Sequence, residues 1–349
     1  MAATINSLRS TKASRVLRAS HTAATLVTLA GARKPATWLA NRSLEQRGYN
    51  RSRIPFSLGA ALAVLAVQQI RRMHGGAQGQ LMLGADGHVY VVKFQNNPQH
   101  LRVLANELLA SRLAAAVGLT VPDTDLVEVS DWLIANTPEL EIDLGRTKER
   151  CKPGLQFGSR FVGGHMPGQV VDYLAEEQMA EVKNLAEFAG ILAFDKWTGN
   201  ANGRQAVFAK KQRERRYRAV YIDFGYCFHA GDWRFEDIPL RGVYYRNDVY
   251  RNVSAWNAFE PWLTRIETLA EDVVWSVAND VPPEWYGGDL REMEALVEKL
   301  LARRSRIREL VDAFRNSDRR PFPNWDRPEE APPAENWKEG PWGATMRVQ

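Results

Sequence analysis

Asp223 closes the apolar run Tyr221-Ile222 and is followed by Phe224-Gly225. A carboxylate at the end of a strand, released by a glycine, can be aimed from rigid backbone into a cleft, where it would hold Mg²⁺ against nucleotide phosphates. The tripeptide alone is a weak signal. Its weight comes from what precedes it. Tyr90-Val91-Val92-Lys93 reads as a strand ending in a phosphate-binding Lys93, with a snorkelling surface lysine as the alternative. A helix follows, carrying Glu107 as the acidic partner of that lysine. A polar loop from Asp195 to Gln205 then comes shortly before the Asp-Phe-Gly strand. Lysine, helix glutamate, polar loop and Asp-Phe-Gly, in that order, are the components of a phosphoryl-transfer site.

Further candidates surround these. Gly75-Gly76-Ala77-Gln78 precedes the lysine strand and would let backbone approach phosphates closely, although glycines also simply make turns. Asn97, just before Pro98, reads as a helix cap. In the loop, Asp195 and Asn200 reproduce the five-residue spacing of a catalytic Asp and a metal-binding Asn. Arg204 either contacts the transferred phosphate or braces the loop, with a merely solvated arginine as the alternative.

The stretches 71–129 and 192–228, which hold the glycines, Lys93, Glu107, the polar loop and Asp223, resemble the bacterial HipA-like kinases. The resemblance runs over residues 65–315. It implies an α+β, two-lobed protein-kinase-like fold, related also to phosphatidylinositol kinases, with an antiparallel sheet and helix in the N-lobe and a mostly helical C-lobe. It also implies ATP and Mg²⁺ as cofactors, transfer to a Ser/Thr or similar hydroxyl, and an adenine edge near Phe161 and Val162. The family carries an Asn-x-Asp core in the polar loop. Aligning Asn200-Ala201-Asn202 with it places Asn202 where the catalytic Asp is expected, makes Asp195 structural, and leaves Gln205 or Asn200 as second metal ligand. An amide cannot accept a proton as a carboxylate does. An ATP-binding pseudokinase is therefore the main rival to a protein kinase, and a lipid or small-molecule hydroxyl is a third possible acceptor. Nothing in the chain identifies a protein substrate or an antitoxin-type partner.

The elements that must position these residues follow from pattern. Residues 56–72, apolar and closed by Arg71-Arg72, read as a helix too short to span a membrane. Residues 73–164 form the N-lobe. Asp86-Gly87 between apolar runs predicts a hairpin of 81–83 with 89–93. Pro98 starts a helix that runs to Val117 and stops at Gly118, with Leu101, Leu104, Leu108 and Leu109 as its buried stripe. Glu107 lies about 60° from Leu104 around that helix, on the flank of the stripe. Segments 124–135 and 155–162 read as strands joined by a loop over 136–154, and residues 163–168 link the lobes. The C-lobe, 165–318, has helical stretches at 180–195, 255–279 and 289–315 around a hairpin, 206–223, and a Pro/Trp-rich extended tail follows over 319–349. The aromatics from Trp233 to Trp262 read as packing.

Composition supports one two-lobed body. Apolar residues make up 45% of 349, enough for a full core. The net charge of +5 is misleading until divided: residues 1–55 hold 10 Lys/Arg against one acid, leaving 36 against 40 elsewhere. The folded body is therefore no nucleic-acid binder by charge. The basic leader reads as a disordered extension, with a targeting segment or a nucleic-acid arm as alternatives. Cys151 and Cys227 are 76 positions apart with neither metal nor disulfide spacing, which fits a reducing cytoplasm.

Overall fold

The computed structural model describes residues 63–73, 75–163, 168–325, 337–339 and 345–347. All belong to the unit Phe56–Gln349. The basic leader, residues 56–62 and the middle of the predicted lobe linker lie outside the described residues.

The first lobe is built on a closed barrel. Strands β1 (Val64–Arg72), β2 (Gln80–Gly84) and β3 (Val89–Lys93) are followed by helix α1 (Val103–Ala116), and β4 (Thr124–Val129) and β7 (Gly154–Arg160) complete the barrel in the order β1-β2-β3-β7-β4. The predicted hairpin forms, with Leu81 opposite Val91 and Leu83 opposite Val89. The predicted helix over 56–72 does not: its described part is strand β1. The reason is pairing. β1 satisfies β2 antiparallel from Ala66↔Gly84 to Arg72↔Gln80, and closes the barrel by parallel pairing of Val64 and Leu65 with Val127 and Glu128. A helix there would leave β2 and β4 with unpaired backbone along the buried barrel.

Alternating residues fill the interior, with Ala66, Met82, Tyr90, Val92, Val127 and Val129 packed together. Gly158 in β7 is required there, because a Cβ would lie 2.3 Å from Val127 Cγ2. The predicted strand 124–135 ends at Val129 and is followed by helix α2 (Asp131–Asn136), while the predicted loop 136–154 holds a small hairpin, β5 (Glu141–Asp143) with β6 (Lys148–Arg150); together they pack Leu133, Ile134, Leu140 and Ile142 into the barrel's apolar cluster. Ser130 caps α2 by accepting from Leu133 N.

Helix α1 begins at Val103, not at Pro98. Asn97 Oδ1 accepts from Gln99 N at 3.0 Å, an i to i+2 turn that diverts the chain around the proline. Leu101 accordingly falls outside the buried stripe, at 63% exposure, whereas Leu104, Leu108 and Leu109 are buried. These three belong to the same apolar cluster as Phe188 and Leu192 of the second lobe.

That lobe comprises β8 (Val170–Val171), α3 (Glu176–Ala180), α4 (Glu187–Thr198), β9 (Gln205–Ala209), β10 (Arg218–Ile222), α5 (Trp262–Glu267), α6 (Glu271–Asn279), α7 (Leu290–Arg303) and α8 (Ile307–Arg315). Helix α4 is its axis, buried from Phe188 through Thr198. It stops at Gly199, whose φ of 59° is the left-handed conformation of a glycine C-cap. β9 and β10 pair antiparallel from Gln205↔Ile222 to Ala209↔Arg218, so Gln205 faces the end of the strand that leads into Asp223.

The tail differs from expectation. Phe322 is 7% exposed, and its ring stacks on Trp325 and meets Phe259 and Phe314 edge-on. Residues 337–339 and 345–347 form a further antiparallel pair, β11 and β12. Apolar rings outweigh the Pro-rich composition here. Among the described residues, no helix is long and apolar enough to cross a membrane. Phe322→Ala is expected to lower unfolding free energy by about 3–5 kcal/mol. Guanidinium denaturation monitored by tryptophan fluorescence checks this, and a change within ~0.5 kcal/mol, the range of surface substitutions, would show the tail to be peripheral.

Candidate active site

The site is organised by buried charge. Lys93, at the end of β3, and Glu107, in the middle of α1, form an ion pair with side chains 10% and 3% exposed. Lys93 Nζ also reaches Asp223 Oδ1 at 2.9 Å. Burial would lower the Lys93 pKa, but Glu107 and then Asp223 outweigh it, and the ammonium is held above its ordinary value. Burial would raise Asp223, but Lys93 outweighs that and keeps the carboxyl below its ordinary range. Burial pushes Glu107 up, opposed by Lys93.

Glu107 does more than pair with the lysine. Its Oε2 accepts from Phe224 N at 3.1 Å, and its Oε1 accepts from Gly225 N at 2.9 Å. A Cβ at Gly225 would lie 2.6 Å from Val103 Cγ2 and 3.1 Å from Glu107 Oε1, so this approach requires glycine. Asp223 has φ 63°, in the left-handed region that few non-glycine residues occupy. Its second oxygen, Oδ2, accepts from Gln205 Nε2 at 2.7 Å. Lys93, Glu107, Asp223 and Gln205 are thus brought together by β3, α1, β10 and β9.

The polar loop separates the two alignments. Asp195 lies in α4, buried, and accepts from Arg204 Nε at 2.9 Å and Nη2 at 2.5 Å. The side chains of this pair are 0% and 1% exposed. Asn200 Nδ2 donates to Asp195 Oδ1 at 3.0 Å, and Asn200 Oδ1 accepts from Asn202 N at 3.0 Å. Both carboxylate oxygens of Asp195 are therefore occupied, and the geometry gives it no access to an acceptor hydroxyl. Arg204 Nη1 donates to Ile222 O at 2.8 Å, and the guanidinium lies over the Phe224 ring, 4.2 Å from its centroid. Burial works against the Arg204 charge, but Asp195 outweighs it and raises its pKa. Arg204 thus braces the loop against the Asp223 strand. Asn200 is likewise committed to the loop, so of the two candidate amide ligands Gln205 is the one beside Asp223. Asn202 is exposed, its Oδ1 accepting from Gly203 N at 2.8 Å.

The glycine-rich segment forms the turn between β1 and β2. Gly75 has φ 118°, and Ala77 O accepts from Asn97 Nδ2 at 3.0 Å. Gly76 packs close to Gln99, where a Cβ would lie 3.2 Å from Nε2. Gln78 departs from its expected role. Its side chain bonds to Arg72 and to both backbone groups of Asp143, donating to O at 2.6 Å and accepting from N at 2.8 Å, so it ties the turn to the β5–β6 hairpin. Phe161 N donates to Val89 O at 2.8 Å and Phe161 O accepts from Gly163 N at 3.0 Å, so its main chain is engaged within the protein. Val162 follows it, half-buried.

Two residues escaped the sequence reading. Asn106, completely buried beside Glu107, bonds to three carbonyls of the segment after Asp223. His100 Nε2 lies 2.9 Å from Gly225 O, an acceptor, so this nitrogen donates, and burial lowers the pKa of the ring. The signal for Asn106 was present: an amide inside the apolar run Val103-Leu104-Ala105 to Leu108-Leu109.

The sequence model of the HipA-like kinases matches residues 66–316. The chain belongs to that family. Its fold is the two-lobed, protein-kinase-like α+β arrangement. No curated protein matches. Similar solved structures include the proinflammatory kinase CtkA of Helicobacter pylori, at 13% identity over 69% of this chain and 96% of that one, with a TM-score of 0.42. A Golgi casein kinase with Mn/ADP bound is 12% identical over 72% and 73%, with a TM-score of 0.38. HipA of Shewanella oneidensis MR-1, in complex with HipB and operator DNA, is 17% identical over 76% and 70%, with a TM-score of 0.37.

In this HipA-like kinase, Asp195→Ala leaves Arg204 as an uncompensated buried charge, and is expected to cost about 3–5 kcal/mol of stability. Asp195→Asn keeps the shape and should act in the same direction, with nucleotide affinity retained by the folded fraction. Urea denaturation together with calorimetric titration checks both.

Proposed function

We propose that the cleft around Lys93 and Asp223 binds Mg–ATP and that the chain transfers the γ-phosphoryl group to a serine or threonine hydroxyl of a protein, itself included, at a rate limited by the lack of a free carboxylate in its polar loop. The carrying observation is the buried Lys93 ammonium, shared by Glu107 and Asp223, with the Asp223 carboxylate also facing Gln205. Lys93 would turn to the α/β-phosphates, with Glu107 holding it in place.

The donor set suits Mg²⁺. Among the described residues no three His, Cys, Asp or Glu gather as a cage. Mg²⁺ is commonly held by one or two carboxylates with phosphates and waters completing its shell. Asp223 would be that carboxylate, and Gln205, with its amide turned over, would offer an oxygen. When bound, the ion would neutralise charge developing on the phosphates. Arg204 and Asp195 fix the loop that presents Asn202 to the acceptor.

An ATP-binding module with impaired catalysis is the second reading. It is favoured by the burial of Asp195 and the amide at Asn202. Loss of general-base help costs on the order of 10²–10⁴ in rate, while positioning and electrostatics remain. Two inert thiols support a cytoplasmic setting: Cys151 and Cys227 are buried and unpaired, and burial pushes each up to about 12.

Mg–ATP at about 100 times its dissociation constant should stabilise the wild type by about 2.7 kcal/mol. Lys93→Ala and Asp223→Ala should lose most of the resulting rise in melting temperature, and equal shifts in all three proteins would sink the assignment. Asn202→Asp should raise ATP turnover, at most by the same 10²–10⁴. If the wild type and Asn202→Asp both bind nucleotide but neither turns it over, the module reading stands in place of the kinase; robust wild-type turnover that does not rise in Asn202→Asp would leave positioning as the supported catalytic contribution.

A further inference from the structure

Asn106 precedes Glu107 on α1 and is 0% exposed. Its Nδ2 donates to the carbonyls of Gly225 at 2.8 Å, Cys227 at 2.9 Å and Ala230 at 2.8 Å. Its Oδ1 accepts from Trp233 Nε1 at 2.8 Å. One side chain therefore gathers four points of the segment that leads away from Asp223.

That segment is held in a conformation L-residues avoid. Phe228, His229 and Ala230 have φ of 59°, 59° and 58°, and Trp233 has 54°. A run of left-handed non-glycine residues persists only where its surroundings over-determine it. One side of the constraint is the end of α4, where Thr198 O accepts from Phe228 N at 2.7 Å and Gly199 O from His229 N at 3.0 Å. The other is Asn106. Asp223, five residues before the run and itself at φ 63°, is joined to it through Gly225, whose carbonyl Asn106 holds directly.

We infer that Asn106 is a positioning residue for Asp223: its clasp holds the segment 225–233, with its left-handed residues 228–230 and 233, in place, and so keeps the Asp223 carboxylate turned toward the place of the metal ion. The inference rests on the Mg–ATP reading for its ligand, but not for its structural arm. Lys93 and the Val162 region are held by other contacts. Loss of the clasp should therefore weaken nucleotide binding only insofar as it depends on the metal.

The test uses the full chain with Asn106→Asp, which keeps the shape and the acceptor for Trp233 but loses the two N–H donors. Asn106→Ser, which adds no charge and keeps one donor, serves if the first variant does not fold. Hydrogen–deuterium exchange of the ligand-free protein should show amides 227–230 exchanging at least about tenfold faster, with α7 unchanged. Titration with ATP in EDTA and in excess Mg²⁺ should show the affinity gain from Mg²⁺ reduced about tenfold, equivalent to ~1.4 kcal/mol, and the EDTA affinity retained. Trp233→Phe, which leaves the three carbonyl bonds in place, should preserve the Mg²⁺ gain. Unchanged exchange at 227–230, an equal loss of affinity with and without Mg²⁺, or a Trp233→Phe effect as large as that of Asn106→Asp would each overturn the assignment. A wild type that binds no nucleotide would defeat the Mg–ATP reading, and the exchange arm would still decide whether the clasp holds the segment.

Discussion

The carboxylate of Glu107 is the constraint on which the rest of the site depends. An ionised side chain at 2% exposure is tolerated only if charge and hydrogen-bond donors meet it on every side. Lys93 brings the charge from the barrel, and the amides of Phe224 and Gly225 bring the donors from the strand end beyond β10. Because the lysine and the two amides sit on different elements, satisfying one carboxylate fixes α1 against both the barrel and the Asp223 segment. The site is therefore assembled by the same contacts that relieve a buried charge.

A second buried pair does comparable work inside the helical lobe. Arg204 and Asp195 lock the polar loop to α4, and Nη1 of Arg204 reaches the carbonyls of Ile222, at the end of β10, and of Asp223. The two ion pairs thus meet the same strand from opposite sides, one through the amides after Asp223 and one through the carbonyl before it. Asp223 needs support of this kind, since its left-handed backbone is unfavourable for a residue with a Cβ. The arrangement also engages, on both oxygens, the carboxylate that stands at the spacing of a catalytic one. Asp195 is consumed by structure, and the exposed position on the loop carries an amide.

Much of this was legible in the sequence, for identifiable reasons. Lys93, Glu107 and Asp223 could be read because each residue type is improbable in its local pattern: a lysine closing an apolar strand, a glutamate on the flank of a leucine stripe, an aspartate between an apolar run and Phe-Gly. The family, recognised on those stretches, agrees with the match over residues 66–316. The loop was not legible, because spacing fits both Asp195 and Asn202 and only burial separates them. Strand β1 was misread because an apolar run of that composition suits helix or strand, and its state is set by the pairing needs of β2 and β4. Gln78 and Asn106 act through contacts 65 and more than 100 residues away, which no local window contains.

The contacts that build the site also differ in the length of chain they close. Lys93 and Glu107 are 14 residues apart, and β2, β3 and α1 can meet soon after they form. The seam between Val64 and Val127 spans a much longer loop, and its parallel pairing cannot start before β4 exists. Asp223 comes later still, 130 residues from Lys93. Loop closure of rising length therefore sets a rising entropic cost on three contacts: the Lys93–Glu107 pair, the seam of the barrel and the docking of the Asp223 strand. On a chain emerging from its N-terminus, Lys93 and Glu107 are both present well before Asp223, and the site becomes complete only when the helical lobe supplies it.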